Sequence, residues 1–227
     1  AWLTGQDPKY RFLREFDKAT LLYNQHEARR ALVKDHSVAG IFLVEGQGDA
    51  WAGWQAGHKA ICAYFGAELS DWQAREAVDL AMAAEKPVIL VPDFDETGQA
   101  NIDKNIRKLR AIRDDVEIQV LHGIDEIEYE SGKGCKDLGD VLKYFGADKV
   151  QEILENLRWA APEWQVRQIM EATNQRTKED FYSKTRQMEL IAEILHNVKT
   201  KEALDHLVPY LAKKWRIRDE LAQNWFH

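Results

Sequence analysis

Four short apolar runs, each separated from the next by residues with helical spacing, constrain this chain more than any other feature. They cover residues 38–44, 59–65, 87–92 and 116–121. The first three are short apolar stretches bounded by turn residues, the pattern of a buried strand, and 116–121 alternates apolar with polar residues like a fourth strand. Before and between them, apolar residues recur every three or four positions. Leu21, Leu22, Ala28, Leu32 and Val33 precede the first run, with Asp17 expected as the cap of their helix. Residues 50–56 suit a short helix closed by Gly57, and Ser70 caps a helix predicted over 71–84. Ile102, Ile106, Leu109 and Ile112 mark another over 98–113. Strands alternating with helices at this spacing predict a parallel α/β sheet. A polar loop rich in glycine and acid follows over 123–134, then a brief helix stopped by Gly146.

Beyond residue 147 the texture changes. Ile153, Leu154 and Leu157, then Met188, Ile191, Ile194 and Leu195, then Leu204, Leu207 and Leu211 keep helical period, and strand signals cease. The reading divides the chain into a leader and helix (1–37), an α/β domain (38–147) and an all-helical subdomain (148–227).

The third run, Pro87-Val88-Ile89-Leu90-Val91-Pro92, leads directly into Asp93-Phe94-Asp95-Glu96-Thr97-Gly98. Aspartates at i and i+2 point the same way from an extended backbone. Carboxylates that close together repel unless a cation lies between them, and hard oxygen ligands suit Mg²⁺ or Mn²⁺. The plainer reading is a solvated turn with an aspartate capping the next helix. Two further acidic loops weigh against it. Glu45 leaves the first apolar run, and Asp137 and Asp140 follow the last. Ligands of an open parallel sheet bind outside the carboxyl ends of its strands, so these five carboxylates can converge on one edge. Gathered there, they raise one another's pKa and cost stability unless cations are bound. Gly46, Gly48 and Gly98 let backbone turn sharply or approach a phosphate. The chemistry indicated is phosphoryl or nucleotidyl transfer with a divalent metal.

Composition sets outer limits. The 227 residues are 45% hydrophobic and 30% charged, an ordinary globular balance, and the formal net charge of −7 argues against a uniformly basic nucleic-acid-binding surface. No apolar run approaches the roughly 20 residues that span a bilayer, and no signal-peptide pattern opens the chain, so no membrane role is expected. Cys62 and Cys135 lie far apart without zinc-ligand spacing and fit a reducing, cytoplasmic compartment. The first residue is alanine, so the chain reads as a processed or excised piece.

The order Val44-Glu45-Gly46-x-x-Asp49, Asp93-x-Asp95-x-x-Gly98, Lys136-Asp137-x-x-Asp140 resembles the TOPRIM domain shared by topoisomerases and primases. Within it the chain is most similar to the RNA polymerase domain of bacterial-type replicative DNA primases and their phage relatives. Residues 22–29, 63–70 and 189–195 resemble, in turn, that family's helix before the glutamate strand, its small-residue turn and its following helical subdomain. The resemblance implies a nucleotidyltransferase that makes short RNA primers from ribonucleoside triphosphates on a single-stranded DNA template, in a bacterial or phage-infected cell. By position it implies Glu45 as general base or metal ligand, Asp93 and Asp95 as the metal-binding pair, and Asp137 as a further metal contributor ahead of Asp140. Lys136 belongs to the same motif, and Asp49 is expected to order the loop rather than bind metal. A replicative helicase is the partner class implied for the helical tail.

The departures are plain. The family's basic upstream subdomain is largely missing, and so is its zinc-binding module, which points to an excised catalytic core or a protein that works with a partner. Phe94 stands where many relatives carry glycine. A TOPRIM nuclease and a non-catalytic module docking a helicase remain the alternatives. Trp51, Trp54 and Trp72 read as packing residues of amphipathic helices rather than base-stacking ones. Arg107, Lys108, Arg110 and Arg113 can meet a nucleic-acid backbone or form a solvated helix face, as can Lys213, Lys214, Arg216 and Arg218. The seven histidines show no metal spacing.

Overall fold

A computed structural model of the chain describes residues 15–94, 96–130, 132–174, 181–196, 198 and 201–215. The four apolar runs form strands β1 (Ile41–Val44), β2 (Ile61–Ala63), β3 (Val88–Val91) and β4 (Ile118–Leu121), all mutually parallel where they pair. Sheet order is β2-β1-β3-β4, with a fifth strand, β7 (Arg158–Ala160), added antiparallel along β4. That last strand is the exception to the all-helical reading of residues 148–227. A two-stranded hairpin, β5 (Glu128–Glu130) with β6 (Lys133–Gly134), occupies the expected polar loop.

The helices are α1 (Gln25–Lys34), α2 (Gln47–Gln55), α3 (Asp71–Ala84), α4 (Glu96–Ile112), α5 (Leu138–Phe145), α6 (Ala147–Asn156), α7 (Ala161–Asn174), α8 (Phe181–His196) and α9 (Lys201–Trp215). Both sheet faces are covered, so strand side chains alternate between two cores rather than between core and water. In β1, Ile41 and Leu43 join Ala28 and Leu32 of α1, Ala74 and Val78 of α3 and Ile102 and Ile106 of α4. Phe42 and Val44 join Ala50 and Ala52 of α2, Val141 of α5 and Ile153 of α6 on the other face. Helices α7, α8 and α9 share a separate core of Val166, Met170, Ile191, Leu195, Leu207 and Leu211. Helix α7 also presses Ala161 and Trp164 into the first face.

Asp17 caps a 3-10 turn (Lys18–Thr20) instead of the long helix expected after it, its carboxylate accepting from the Ala19 amide at 3.0 Å. Helix α1 starts eight residues later behind Asn24, whose left-handed backbone (φ 67°) breaks the chain direction. Ser70 caps α3 as expected, in a capping box with Gln73. No helix among the described residues is long and apolar enough to cross a membrane.

Candidate active site

Strands β1 and β3 lie side by side in register, with Val44 opposite Val91. Their carboxyl ends therefore release Glu45 and Asp93 at the same edge. The third acidic segment reaches that edge through main-chain pairing, since the Phe94 amide donates to the Lys136 carbonyl at 2.7 Å. Helix α5 begins there. Asp137 is its N-cap, accepting from the Asp140 amide at 2.7 Å, and Asp140 in turn accepts from the Lys136 amide at 3.2 Å. Asp49, in the first turn of α2, accepts from the Gly139 amide at 3.1 Å, tying two segments that lie 90 residues apart. Helices α2 and α5 are thus locked start to start.

The result is an open cleft of about 550 Å³. Glu45, Asp49, Asp93, Asp137 and Asp140 line it with Gly46, Gly48, Gly66, Gly139 and the ammonium-bearing Lys143. The carboxylates act on their surroundings. The Tyr64 phenol beneath them is held well above its ordinary pKa, first by burial and then by Glu45 and Asp93, with Asp49 adding less. The Cys135 thiol is raised by burial and then by Asp140 and Asp137. Burial leads in both cases, and the acidic neighbours push the same way.

Gly98 owes its identity to the same turn. A Cβ there would collide with the Asp93 carbonyl oxygen, so only glycine lets α4 start tight against the loop. Asp95 lies outside the described residues. Among the described residues no three His, Cys, Asp or Glu side chains are grouped to hold a metal ion. The cleft's donor set is nonetheless carboxylate oxygen throughout, the set that Mg²⁺ or Mn²⁺ prefers.

The basic residues of α4 do not converge on this site. They lie eleven to fourteen residues along the helix from Glu96, about 16–21 Å at the helical rise. Lys108 donates to the Leu69 carbonyl at 2.6 Å and lies 3.8 Å from Asp71, fastening α4 to the start of α3. Arg107 reaches the Asp103 carbonyl at 3.2 Å, and half-buried Arg110 has its guanidinium pKa lowered by burial. Among the described residues that line the cleft the cation is instead Lys143, which the sequence did not single out. Its ammonium donates to the Tyr144 hydroxyl at 2.8 Å and stands 4.4 Å from that ring's centroid. A lysine in the second turn of a helix opening on an acidic loop was the available signal.

The tryptophans depart from expectation. Trp51, Trp54 and Trp72 are 51%, 45% and 37% exposed, so none is a core residue. Trp72 stands in the first turn of α3. For Trp51 and Trp54 the reason is the close approach of α2 to the sheet. Its inner face is Ala50, Ala52, Gly53 and Ala56, and a Cβ on Gly53 would run into the Ile61 side chain. Small residues alone fit that gap, and the indoles turn outward.

A smaller cavity, about 170 Å³, is lined by Phe94, by His122 just after β4 and by Trp159 of β7. The two rings stack at 3.5 Å, and the Arg167 guanidinium lies 4.3 Å from the Trp159 ring centroid.

No protein-family model matches the sequence, and no curated protein matches it. Solved structures do share its fold. A DNA primase domain from Pseudomonas aeruginosa superposes with a TM-score of 0.62 at 19% identity, covering 99% of this chain and 65% of that one. The RNA polymerase domain of Mycobacterium tuberculosis primase DnaG gives 0.63 at 18%, over 89% and 59%. A DnaG primase catalytic domain bound to ssDNA gives 0.64 at 17%, over 96% and 64%. The chain has the fold of DnaG primase catalytic cores and spans about two thirds or less of their length.

Proposed function

We propose that this chain is the catalytic-core portion of a DNA primase-like nucleotidyltransferase. The reaction joins ribonucleoside triphosphates into a short RNA primer on a single-stranded DNA template, with Mg²⁺ or Mn²⁺. The observation that carries this reading is the meeting of Glu45, Asp49, Asp93, Asp137 and Asp140, from three acidic motifs, in one cleft of a primase-core fold. The solved relative bound to ssDNA supports the choice of template.

Glu45, Asp93, Asp95 and Asp137 would hold the ions. Bound there, a divalent cation neutralises charge developing on the phosphates and orients the attacking oxygen. Glu45 accepts the proton of the primer 3′-hydroxyl as its oxygen bonds to the α-phosphorus and pyrophosphate leaves. Lys143 and the start of α2, which has no side-chain cap, face the triphosphate; a helix N-terminus favours an anion. Asp49 has a positioning role, since its bond to Gly139 fixes where α5 begins and with it Asp137.

Calorimetry is the first test. The expected result is saturable Mn²⁺ binding by this chain that Asp93→Asn abolishes. In a longer protein carrying the upstream region, Asp93→Asn also abolishes primer synthesis from labelled ribonucleotides. Unchanged synthesis sinks the assignment. Shortening of labelled DNA with Mn²⁺ would convert it to the nuclease alternative, which the same carboxylates can serve.

A further inference from the structure

Two of the large apolar side chains left in solvent belong to α2, three residues apart and so on one face of the helix. Helix α2 starts in the acidic cleft, where Gly46, Gly48 and Asp49 are part of the lining. Trp54 lies six residues beyond Gly48, about 9 Å along the helix. An aromatic strip therefore leads out of the cleft.

Its chemistry is specific. The Trp51 indole N–H is already spent on the Tyr23 hydroxyl at 2.7 Å, which fixes the ring and leaves its π face as what it offers. Lys59 places its ammonium 5.4 Å from the Trp54 ring centroid. The neighbouring helix α5 repeats the pairing. Half-exposed Tyr144 stacks on Tyr129 at 3.9 Å, with Lys143 over one ring and Lys133 5.6 Å from the centroid of the other. Exposed ring faces beside cations suit a polymer that alternates bases with phosphates. An apolar protein partner would have to desolvate those ammonium groups without offering them an anion.

We infer that single-stranded nucleic acid leaves the cleft along α2, with bases stacked on Trp51 and Trp54 and a phosphate met by Lys59. The inference rests on the nucleic-acid reading of the cleft for its partner class. It assigns binding to residues outside the carboxylate site. Because stacking is indifferent to base identity, the strip binds without sequence preference.

The experiment is fluorescence anisotropy of a labelled oligothymidylate, titrated with this chain in EDTA at low salt. Each of Trp51→Ala and Trp54→Ala weakens binding about tenfold, and the double variant more than either, on the order of one to two decades. Trp→Phe at both positions stays within about threefold, which separates loss of a ring from loss of fold. Lys59→Ala lowers the slope of log affinity against log salt by about 0.7. Absence of oligonucleotide binding by the unaltered chain overturns the inference, as do alanine variants that bind like it. Concentration-dependent self-association that the double variant abolishes would mark the strip as a protein interface and overturn it too. Mn²⁺ calorimetry on the double variant keeps the two readings apart. Retained Mn²⁺ binding with lost oligonucleotide binding supports the strip, whereas unaffected oligonucleotide binding beside an intact metal site fails the strip alone.

Discussion

The two helical layers that cover the sheet use their polar side chains for opposite purposes. On the side of α1, α3 and α4, polar groups are turned inward to fasten elements together. Gln73 is 1% exposed; its amide nitrogen shares two hydrogens among the carbonyls of Lys18, Leu21 and Tyr64, and its oxygen accepts from the Ser70 amide. Lys108 is committed to Leu69 in the same way. On the side of α2 and α5, carboxylates face an open cleft and aromatic rings face water. One layer spends its polarity on stability, and the other keeps it for a ligand. The contrast teaches where a substitution will be felt: as a change in folding on the first side, as a change in binding on the second.

The largest expected effect tests the first half of that statement. Gln73→Met keeps the side-chain volume but leaves the Lys18, Leu21 and Tyr64 carbonyls without their donor. Unsatisfied buried groups cost about 1–3 kcal/mol each, less where water reaches them, so a loss of about 3 kcal/mol is expected in urea unfolding. Mn²⁺ affinity of the folded variant should stay unchanged. A loss below about 1 kcal/mol, or a weakened metal site, would break the division between the layers.

A smaller effect reads the same side through pH. Burial pushes the Cys62 thiol from 9.0 up to about 12, and the buried Tyr64 phenol moves the same way. Both folded pKa values are raised, so this stability is complete below the unfolded pKa values and is lost as pH rises through the folded ones. Between pH 9 and about 10.5 the thiol accounts for at most about 2 kcal/mol of that loss. Cys62→Ala should flatten the slope of unfolding free energy over that interval, whatever it does to stability at neutral pH. An unchanged slope would mean the thiol titrates near its ordinary value and the sheet face is less dry than its packing indicates. The opposite layer responds at the acid end. His58, packed edge-on against Phe42, has its pKa lowered by burial, so its contribution fades as pH falls below 6.5.

Much of this division was legible in the chain and some was not, for physical reasons. Buried parallel strands are apolar runs, so β1, β2 and β3 stood out and β4 showed by its alternation, though the sequence made β1 and β2 longer than their paired residues. The strand β7 was invisible because Arg158-Trp159-Ala160 is short and an edge strand needs no apolar run; only its pairing with β4 defines it. The carboxylates were found because paired acids after an apolar run are chemically conspicuous. The start of α2 was placed three residues late, since Gly46 gives it no side-chain cap to read. That lateness hid Asp49 in a first turn, and the assumption that tryptophan packs inward hid the exposed strip. Periodicity identifies which residues share a helix face, but the buried face is chosen by the gap to be filled. Beside Ile61 that gap admits Gly53 and alanines, and nothing larger.

The smallest expected effect has the opposite sign from the first, which makes it the sharpest test of the contrast. Glu45→Gln removes one negative charge from a cleft that also holds Asp49, Asp93, Asp137 and Asp140. In a divalent-free buffer the remaining carboxylates repel one another less, so the variant should be more stable than the parent by about 0.5–1 kcal/mol. Adding Mn²⁺ reverses the order, because a ligand that binds only the folded state stabilises it in proportion to the logarithm of its excess over Kd. The parent's melting temperature should rise with Mn²⁺, while that of Glu45→Gln rises less or not at all. A glutamate used for folding, as Gln73 is, would give destabilisation in EDTA and the same Mn²⁺ response in both proteins. Stability in EDTA and stability in Mn²⁺ thus separate a residue kept for a ligand from one kept for the fold, on the same pair of proteins.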